Sequence, residues 1–189
     1  MTAAAQAPGR THAPPAVLVV TGASGAGKTT LVRAIEATRP GVLCYYFDSI
    51  GVPSVEQMTL QFGGPEAWQR VMTAQWIHRL AVNPDGARLA VLDAQTRPSF
   101  AVAAFDSAGI RLGRILLVDC SPEDRHARLA GSRAQPELSH SRMDAWAAYL
   151  RGQADALELA VLDTTGRSIE SATELLLAQV DALLREYGP

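Results

Sequence analysis

Residues 16–30 read AVLVVTGASGAGKTT, a short apolar run followed at once by a glycine-rich segment. The apolar run is continuous and rich in valine, which is typical of a strand buried on both faces. From Gly22 to Thr29 the sequence fits the pattern G-x-x-x-x-G-K-[ST], in which backbone N–H groups surround phosphate oxygens at the start of a helix. The sequence therefore predicts a strand, a phosphate-binding loop and a helix, in that order.

This phosphate loop (residues 22–29) predicts how a nucleoside triphosphate would be held. Lys28 would reach the β- and γ-phosphates, and the Thr29 hydroxyl would ligate Mg²⁺. Lys28 is the only lysine among the 17 basic residues, and the rest are arginines, so a compact ammonium is favoured at this position. We therefore expect ATP and Mg²⁺ as cofactors, bound by Gly22, Ala23, Ser24, Gly25, Ala26, Gly27, Lys28, Thr29 and Thr30.

Composition excludes several classes of protein. A chain of 189 residues has room for one domain, and 48% apolar residues are enough for a packed core. A formal charge of −2 argues against a nucleic-acid partner. No apolar stretch approaches the ~20 residues of a membrane span, and residues 1–15 lack the pattern of a signal peptide. The sequence predicts a soluble, cytoplasmic protein, with a disordered tail at 1–15 and one domain at 16–189.

Five short apolar runs alternate with helical stretches. The runs are Ala16–Thr21, Val42–Phe47, Arg88–Asp93, Arg114–Asp119 and Leu159–Asp163. Helices are predicted at Gly27–Thr38, Pro65–Val82, from Ser121 onward, Ser139–Leu157 and Ser168–Tyr187. Strands and helices that alternate at these lengths indicate an α/β fold with a mostly parallel sheet.

The phosphate loop, this order of elements and the arginine-rich residues 125–133 (RHARLAGSR) resemble the nucleoside-monophosphate-kinase-like superfamily of small P-loop kinases, which includes adenylate, shikimate and gluconate kinases. The resemblance covers most of residues 16–187. It implies a three-layer fold with a five-stranded parallel sheet in the order 2-3-1-4-5 and an arginine-bearing lid around residues 125–142. A GTPase switch is disfavoured, because its Asn-Lys-x-Asp motif needs a second lysine.

The resemblance also implies roles for residues near the nucleotide. Arg128 would stack on or flank the adenine, and Arg133 would meet the phosphates, where a mobile guanidinium can neutralise the charge of the transferred group. Both could instead be ordinary solvated arginines at a helix end. The loop after the fifth strand, at Thr165, would line the adenine with its backbone.

Four of the apolar runs lead into an aspartate, and the carboxyl ends of parallel strands are where α/β active sites lie. By resemblance, Asp93 would face the metal and Asp48 would bind the hydroxyl that accepts the phosphoryl group. These two could exchange roles, or one could only cap its loop. Asp119 is better explained as a turn cap, and Asp163 has no predicted chemistry.

Substrate identity should lie in residues 49–82 and 94–100. We expect Arg70 and Arg97 to clamp an anionic acceptor and Gln95 to contact it, although either arginine could form a surface ion pair. Trp68 and Trp76 could be core residues or a stacking platform. The sequence does not name the acceptor.

These features favour an ATP-dependent phosphotransferase that acts on a small molecule by direct in-line transfer, with Lys28, Asp48, Arg128 and Arg133 as its catalytic residues. One alternative is a regulatory ATP-binding protein with slow hydrolysis and no acceptor. Another is a nucleoside or nucleotide kinase, which shares the chemistry but needs a base-recognition pocket.

Overall fold

The computed structural model describes residues 12–83, 85–131 and 135–188. Within these ranges the chain forms five strands and seven α-helices. In chain order they are β1 (Ala16–Thr21), α1 (Lys28–Thr38), β2 (Val42–Tyr46), α2 (Val55–Phe62), α3 (Pro65–Val82), β3 (Leu89–Asp93), α4 (Pro98–Ala108), β4 (Gly113–Asp119), α5 (Pro122–Ala130), α6 (Ser141–Ala156), β5 (Ala160–Asp163) and α7 (Ile169–Tyr187).

The five strands form one parallel sheet in the order β2-β3-β1-β4-β5, which confirms the predicted topology. The register places the last few residues of neighbouring strands side by side. Asp93 lies opposite both Val20 and Tyr46, and Asp119 lies opposite Asp163. The loops that follow the strands therefore meet at one edge of the sheet, where α/β proteins bind ligands.

Each strand alternates its side chains between two helical layers. In β1, Leu18 and Val20 pack with the layer of α1 and α7, whereas Val17 and Val19 pack with the layer of α3 and α4. Helix α6 lies beside α4 on the second face and contacts β4. Burial on both faces explains why the strands read as continuous apolar runs.

The two tryptophans of α3 belong to the core. Trp68 and Trp76 are 7% and 5% exposed and lie in the apolar cluster of the α3–α4 layer. The Trp68 ring meets the ring of Phe47 edge to face, with their centres 5.7 Å apart. The sequence left open whether these tryptophans are core residues or a stacking platform. The structure places both of them in the core.

Helices α2 and α4 have no counterpart among the predicted helices. A capping box starts α2: the Ser54 side chain accepts from the Gln57 backbone, and the Gln57 side chain accepts from the Ser54 backbone. Helix α4 starts with Pro98 and ends at Gly109 in a left-handed conformation. The sequence marks the start of α2 with the pattern S-x-x-Q. It marks the two ends of α4 with Pro98 and Gly109.

Several predicted strand and helix ends differ from the structure by one or two residues. The second strand ends at Tyr46, and Phe47–Ile50 form a single 3₁₀ turn. The main chain of Ala13 and Pro14, within the predicted tail, accepts hydrogen bonds from Asn83 and Tyr187. Residues 1–11 of that tail lie outside the described residues. Among the helices that the structure describes, none combines the length and apolar content needed to cross a membrane.

Candidate functional site

The phosphate loop packs tightly against β4 and α5. Gly22 has a φ of +151°, and a Cβ on it would lie 2.1 Å from the carbonyl oxygen of Val118. Gly25 has a φ of +83°, and its Cβ would lie 2.9 Å from Cγ of Arg125. Since only glycine fits a left-handed backbone in such close contact, these positions fix the path of the loop.

The amino terminus of α1 is left open at the end of this loop. Its cap residue, Gly27, supplies no side-chain hydrogen bond, and no proline follows it. Every other α-helix in the described residues begins with a side-chain cap, a proline in its first turn, or both. Among the α-helices of the described residues, α1 alone begins with neither a side-chain cap nor a proline, which suits an anion at the positive end of its dipole.

The two chemically active residues of the loop are held in defined positions. Lys28 is 6% exposed, and its Nζ donates a 3.0 Å hydrogen bond to the carbonyl oxygen of Ala23. Thr29 Oγ1 donates a 2.6 Å hydrogen bond to Oδ2 of Asp93. A residue of the loop therefore contacts the strand-end acid that the sequence assigned to the metal.

A polar cavity of about 260 Å³ opens beside these residues. It brings together Lys28, Thr29, Asp48, Asp93 and Gln95, which the sequence had assigned to phosphate, metal or acceptor. Within the described part of the chain, its lining is Ser24, Lys28, Thr29, Arg33, Tyr46, Phe47, Asp48, Asp93 and Gln95.

Gln95 and Thr96 are held by three segments of the chain. Its Oε1 accepts from Ser24 Oγ at 2.9 Å, and its backbone oxygen accepts from Gln69 Nε2 at 2.7 Å. The next residue, Thr96, is fully buried; its carbonyl oxygen accepts from Thr21 at 2.6 Å, and its hydroxyl lies 2.6 Å from that of Thr73. These bonds fix the β3–α4 loop against β1 and α3, so Gln95 faces the cavity in one position.

Asp48 lies on the 3₁₀ turn that follows β2, and its side chain is exposed. The turn is anchored by Phe47, which is 3% exposed and packs on Trp68. Tyr46, which the sequence reasoning did not select, also lines the cavity. Burial, followed by a hydrogen bond to Glu36, raises the pKa of Tyr46 to about 12, so its phenol stays protonated and can donate.

A second opening, the α7 cleft, lies behind the phosphate loop and measures about 150 Å³. It is lined by Ala26, Gly27, Thr30, Leu31, Arg128, Thr164, Arg167, Ser168, Ile169 and Ala172. Thr30 and Arg128, which the sequence predicts to bind the nucleotide, both line this cleft. Arg128 Nη1 donates to Thr164 Oγ1 at 2.9 Å, and its Nη2 donates to the Thr164 carbonyl oxygen at 2.9 Å.

Thr164 is a functional candidate that the sequence reasoning missed in favour of its neighbour. It is 3% exposed, and its hydroxyl lies 3.0 Å from the carbonyl oxygen of Ala26 and 3.1 Å from that of Asp119. Thr165 is exposed and is not among the residues that line the cleft; its hydroxyl binds Asp163 and the backbone N–H of Ser121. The two threonines differ in burial, and the sequence alone does not show this difference.

Arg125 differs from Arg128 although both lie in the arginine-rich segment. It is 2% exposed, and its guanidinium lies 2.8 Å from Asp144 Oδ1 and 3.4 Å from Asp119 Oδ1. It also donates to the carbonyl oxygen of Cys120 at 2.8 Å. Arg125 therefore joins β4, α5 and α6. Arg133, the other arginine predicted to meet the phosphates, lies outside the described residues.

Arg70 and Arg97, the predicted anion clamp, both pair with Glu66. Arg97 Nη2 lies 3.1 Å from Glu66 Oε2, and Arg97 Nη1 donates to Gln69 Oε1 at 2.6 Å. Arg70 Nη2 lies 3.4 Å from Glu66 Oε1, and its side chain is 65% exposed. Neither arginine is among the residues that line the polar cavity.

The oxygen donors around Thr29 fit a magnesium ion that is bound together with phosphate. In the described parts of the chain, no group of three or more His, Cys, Asp or Glu side chains could hold a metal by itself. The Thr29 hydroxyl and the Asp93 carboxylate are hard oxygen ligands, and Mg²⁺ commonly takes one or two of these together with phosphate oxygens.

Comparison with solved structures finds the same fold in small kinases. A shikimate kinase from Acinetobacter baumannii, in complex with shikimate, superposes with a TM-score of 0.59 at 15% identity, over 89% of this chain and 94% of that one. A gluconokinase from Sinorhizobium meliloti 1021 gives 0.58 at 17% identity, over 93% and 96%. An APS kinase from Mycobacterium tuberculosis, in complex with AMPPNP and APS, gives 0.55 at 17% identity, over 89% and 99%. No family model and no curated protein matches the sequence. The chain thus has the fold of the small P-loop kinases.

Proposed function

We propose that this protein transfers the γ-phosphoryl group of ATP to a hydroxyl group of a small molecule. The observation that carries the proposal is the polar cavity. It joins the loop residues Lys28 and Thr29 to two strand-end acids, Asp48 and Asp93. A site that only hydrolyses ATP needs no acid besides the one near the metal. Asp48, as a second acid in the same cavity, therefore favours transfer to an acceptor. The neighbouring folds, which are named as kinases of shikimate, gluconate and APS, support the same reaction class.

The nucleotide would span the two openings. The phosphate loop and the amino terminus of α1 would bind the phosphates, and the base would lie in the α7 cleft beside Arg128. The guanidinium of Arg128 presents a flat surface on which an adenine ring can stack. Mg²⁺, when bound at Thr29 and Asp93, supplies charge neutralisation for the phosphates.

The chain's own residues would then perform the transfer. Asp48 would hold the acceptor hydroxyl in line with the γ-phosphorus and accept its proton. The hydroxyl oxygen forms a bond to the γ-phosphorus as the bond from phosphorus to the β–γ bridging oxygen breaks, and ADP leaves. Lys28 would stabilise the charge that builds on the transferred group. Arg133 is proposed to assist in that role.

Formation of ADP in the presence of a panel of hydroxyl compounds tests the proposal. We expect one class of compound to stimulate ADP formation by the wild-type protein. The transferred phosphoryl group should then be found on that compound as a phosphate ester. Asp48→Asn should lower transfer by about 100-fold or more while Mg·ATP still binds. ADP formation that no compound stimulates, and that Asp48→Asn leaves unchanged, would indicate a slow hydrolase instead.

A further inference from the structure

A hydrogen bond joins the phosphate loop to the acceptor side of the polar cavity. Ser24 Oγ donates to Oε1 of Gln95 at 2.9 Å, and the two residues are 71 positions apart in the chain. Both side chains are half-buried, and both line the cavity together with Lys28 and Thr29. A change at the Ser24 hydroxyl therefore acts directly on the Gln95 amide.

The backbone around Gln95 is fixed independently of Ser24. Its carbonyl oxygen accepts from Nε2 of Gln69 at 2.7 Å, and the carbonyl oxygen of the next residue, Thr96, accepts from Thr21 at 2.6 Å. These partners belong to α3 and β1. A change of partner at Ser24 would therefore alter the hydrogen bonding of the Gln95 side chain and leave the path of the loop as it is.

A γ-phosphate would compete with Gln95 for the Ser24 hydroxyl. A serine hydroxyl has a single hydrogen to donate, and a hydrogen bond to a charged phosphate oxygen is roughly twice as strong as one to a neutral amide. Lys28 would bring the γ-phosphate into the cavity that Ser24 lines. ADP lacks this phosphate, so it would leave the bond between Ser24 and Gln95 intact.

We infer that Ser24 changes its hydrogen-bond partner from Gln95 to the γ-phosphate when ATP binds, and that the released amide oxygen of Gln95 then accepts a hydrogen bond from the acceptor molecule. The inference rests on the proposed phosphotransfer. A half-buried amide oxygen that has lost its partner is unfavourable, and a hydroxyl group of the acceptor would restore the bond. The acceptor therefore binds the ATP complex more tightly than the ADP complex, and by linkage it tightens ATP binding by the same factor.

The side-chain amide signals of Gln95 in a ¹H–¹⁵N NMR spectrum report this change of partner. They are assigned by their absence from the spectrum of Gln95→Leu. Mg·AMPPNP, which keeps a γ-phosphate, should shift them in the wild-type protein, whereas Mg·ADP should shift them only weakly. In Ser24→Ala the bond is already absent, so the signals should differ from those of the wild type without nucleotide and should lose most of their response to Mg·AMPPNP.

Gln153 provides a matched control outside the site. Ser99 Oγ donates to its Oε1 at 3.2 Å, which is the same kind of serine-to-glutamine bond, and neither residue lines the polar cavity. The Gln153 signals should not distinguish Mg·AMPPNP from Mg·ADP. Ser99→Ala should leave the response of Gln95 to both nucleotides unchanged.

Calorimetry gives a second readout. Ser24→Ala should raise the Kd of Mg·AMPPNP by about tenfold, because a hydrogen bond to a charged group is lost, and the Kd of Mg·ADP by less than about twofold. A panel compound that stimulates ADP formation should bind the Mg·AMPPNP complex about tenfold more tightly than the Mg·ADP complex, and Gln95→Leu should remove this difference.

The inference and the proposed phosphotransfer fail in different ways. Equal responses of Gln95 to Mg·AMPPNP and Mg·ADP would overturn the inference and leave phosphotransfer standing. Equal losses of affinity for the two nucleotides in Ser24→Ala, or a preference of the compound for the Mg·AMPPNP complex that survives in Gln95→Leu, would do the same. If no compound stimulates ADP formation although Mg·ATP binds, the proposed phosphotransfer is overturned and the inference falls with it.

Discussion

Thr29 Oγ1 and Asp93 Oδ2 lie 2.6 Å apart, which ties the first turn of α1 to the carboxyl end of β3. The two residues are 64 positions apart in the chain. The central strand β1 pairs directly with β3, and this pairing sets the distance between the phosphate loop and the acid. A hydroxyl and a carboxylate are thereby held together beside Lys28, as a metal-bound triphosphate requires.

Replacement of Asp93 by Asn should impair metal-dependent activity more than folding. We expect the Mg²⁺ concentration needed for half-maximal ADP formation to rise by about 10- to 100-fold, because an amide is a weaker ligand than a carboxylate. A titration of activity against Mg²⁺ measures this shift. Asp106→Asn, an exposed aspartate near the end of α4 and outside the cavity, is the control. An Asp93→Asn protein with the wild-type Mg²⁺ dependence would show that Asp93 has no part in metal binding.

Thr164→Val should weaken ATP binding by loosening the phosphate loop. The Thr164 hydroxyl lies 3.0 Å from the carbonyl oxygen of Ala26 and 2.9 Å from Nη1 of Arg128. Loss of a buried hydroxyl leaves its partners unsatisfied at a cost of about 1–3 kcal/mol, so we expect the Kd for ATP to rise by about tenfold.

Calorimetry with ATP and AMP separates this effect from a general loss of structure. AMP does not reach the β- and γ-phosphate positions of the loop, so its affinity should change little. Thr164→Ser keeps the hydroxyl and should restore ATP binding. Equal losses for ATP and AMP would mean that Thr164 acts on the base cleft and not on the loop.

Arg125→Met should act mainly on the stability of the fold, whereas Arg128→Met should act mainly on nucleotide binding. Removal of one partner of a buried ion pair costs about 3–5 kcal/mol, and Arg125 is 2% exposed between Asp119 and Asp144. We expect Arg125→Met to lower the free energy of unfolding by that amount. Arg128→Met should lower it by a smaller amount, about 1–3 kcal/mol for the hydrogen bonds to Thr164 that are lost, but weaken nucleotide binding. Urea unfolding and calorimetry measure the two quantities, and a reversed pattern would exchange the roles of the two arginines.

Alkylation of Cys44 should be slow and strongly dependent on pH. Burial is the main cause that raises the pKa of Cys44 from 9.0 to about 12, and burial also raises the pKa of Cys120. Because the thiolate is the reactive form, the rate with iodoacetamide should rise about tenfold per pH unit between about pH 7.5 and 9.5. The folded pKa is the higher one, so ionisation of Cys44 destabilises the fold only as pH rises from 9.0 towards about 12. A rate that levels off just above pH 9.0, the ordinary thiol pKa expected in the urea-unfolded chain, would contradict the burial.

The sequence predicts those parts of the site that are formed by contiguous residues. The phosphate loop is a local motif, and the strand ends are marked by an aspartate after an apolar run. The parallel topology then brings Asp48 and Asp93 to the same edge as the loop. Helices α2 and α4 were predictable by the same means, since the Ser54–Gln57 capping box and Pro98 mark their starts.

The rest depends on contacts between distant segments, which no local pattern encodes. Arg125 and Arg128 are three positions apart in one segment, yet α6 supplies Asp144 only to Arg125. Arg97 looks like an anion clamp in the sequence because nothing there shows that α3 places Glu66 beside it. Pairing across helices therefore decides which of the chain's many arginines remain available to a ligand.

The amino-terminal end of α1, with Lys28, is proposed to bind a metal–nucleotide complex. Titration calorimetry of the wild-type protein and of Lys28→Ala with Mg·ATP tests it most directly. We predict saturable binding of one nucleotide per chain by the wild-type protein, lost or strongly weakened in Lys28→Ala, whose circular dichroism stays that of the wild type. Absence of binding heat with the wild-type protein at several temperatures, or equal affinity of the two proteins, would contradict it.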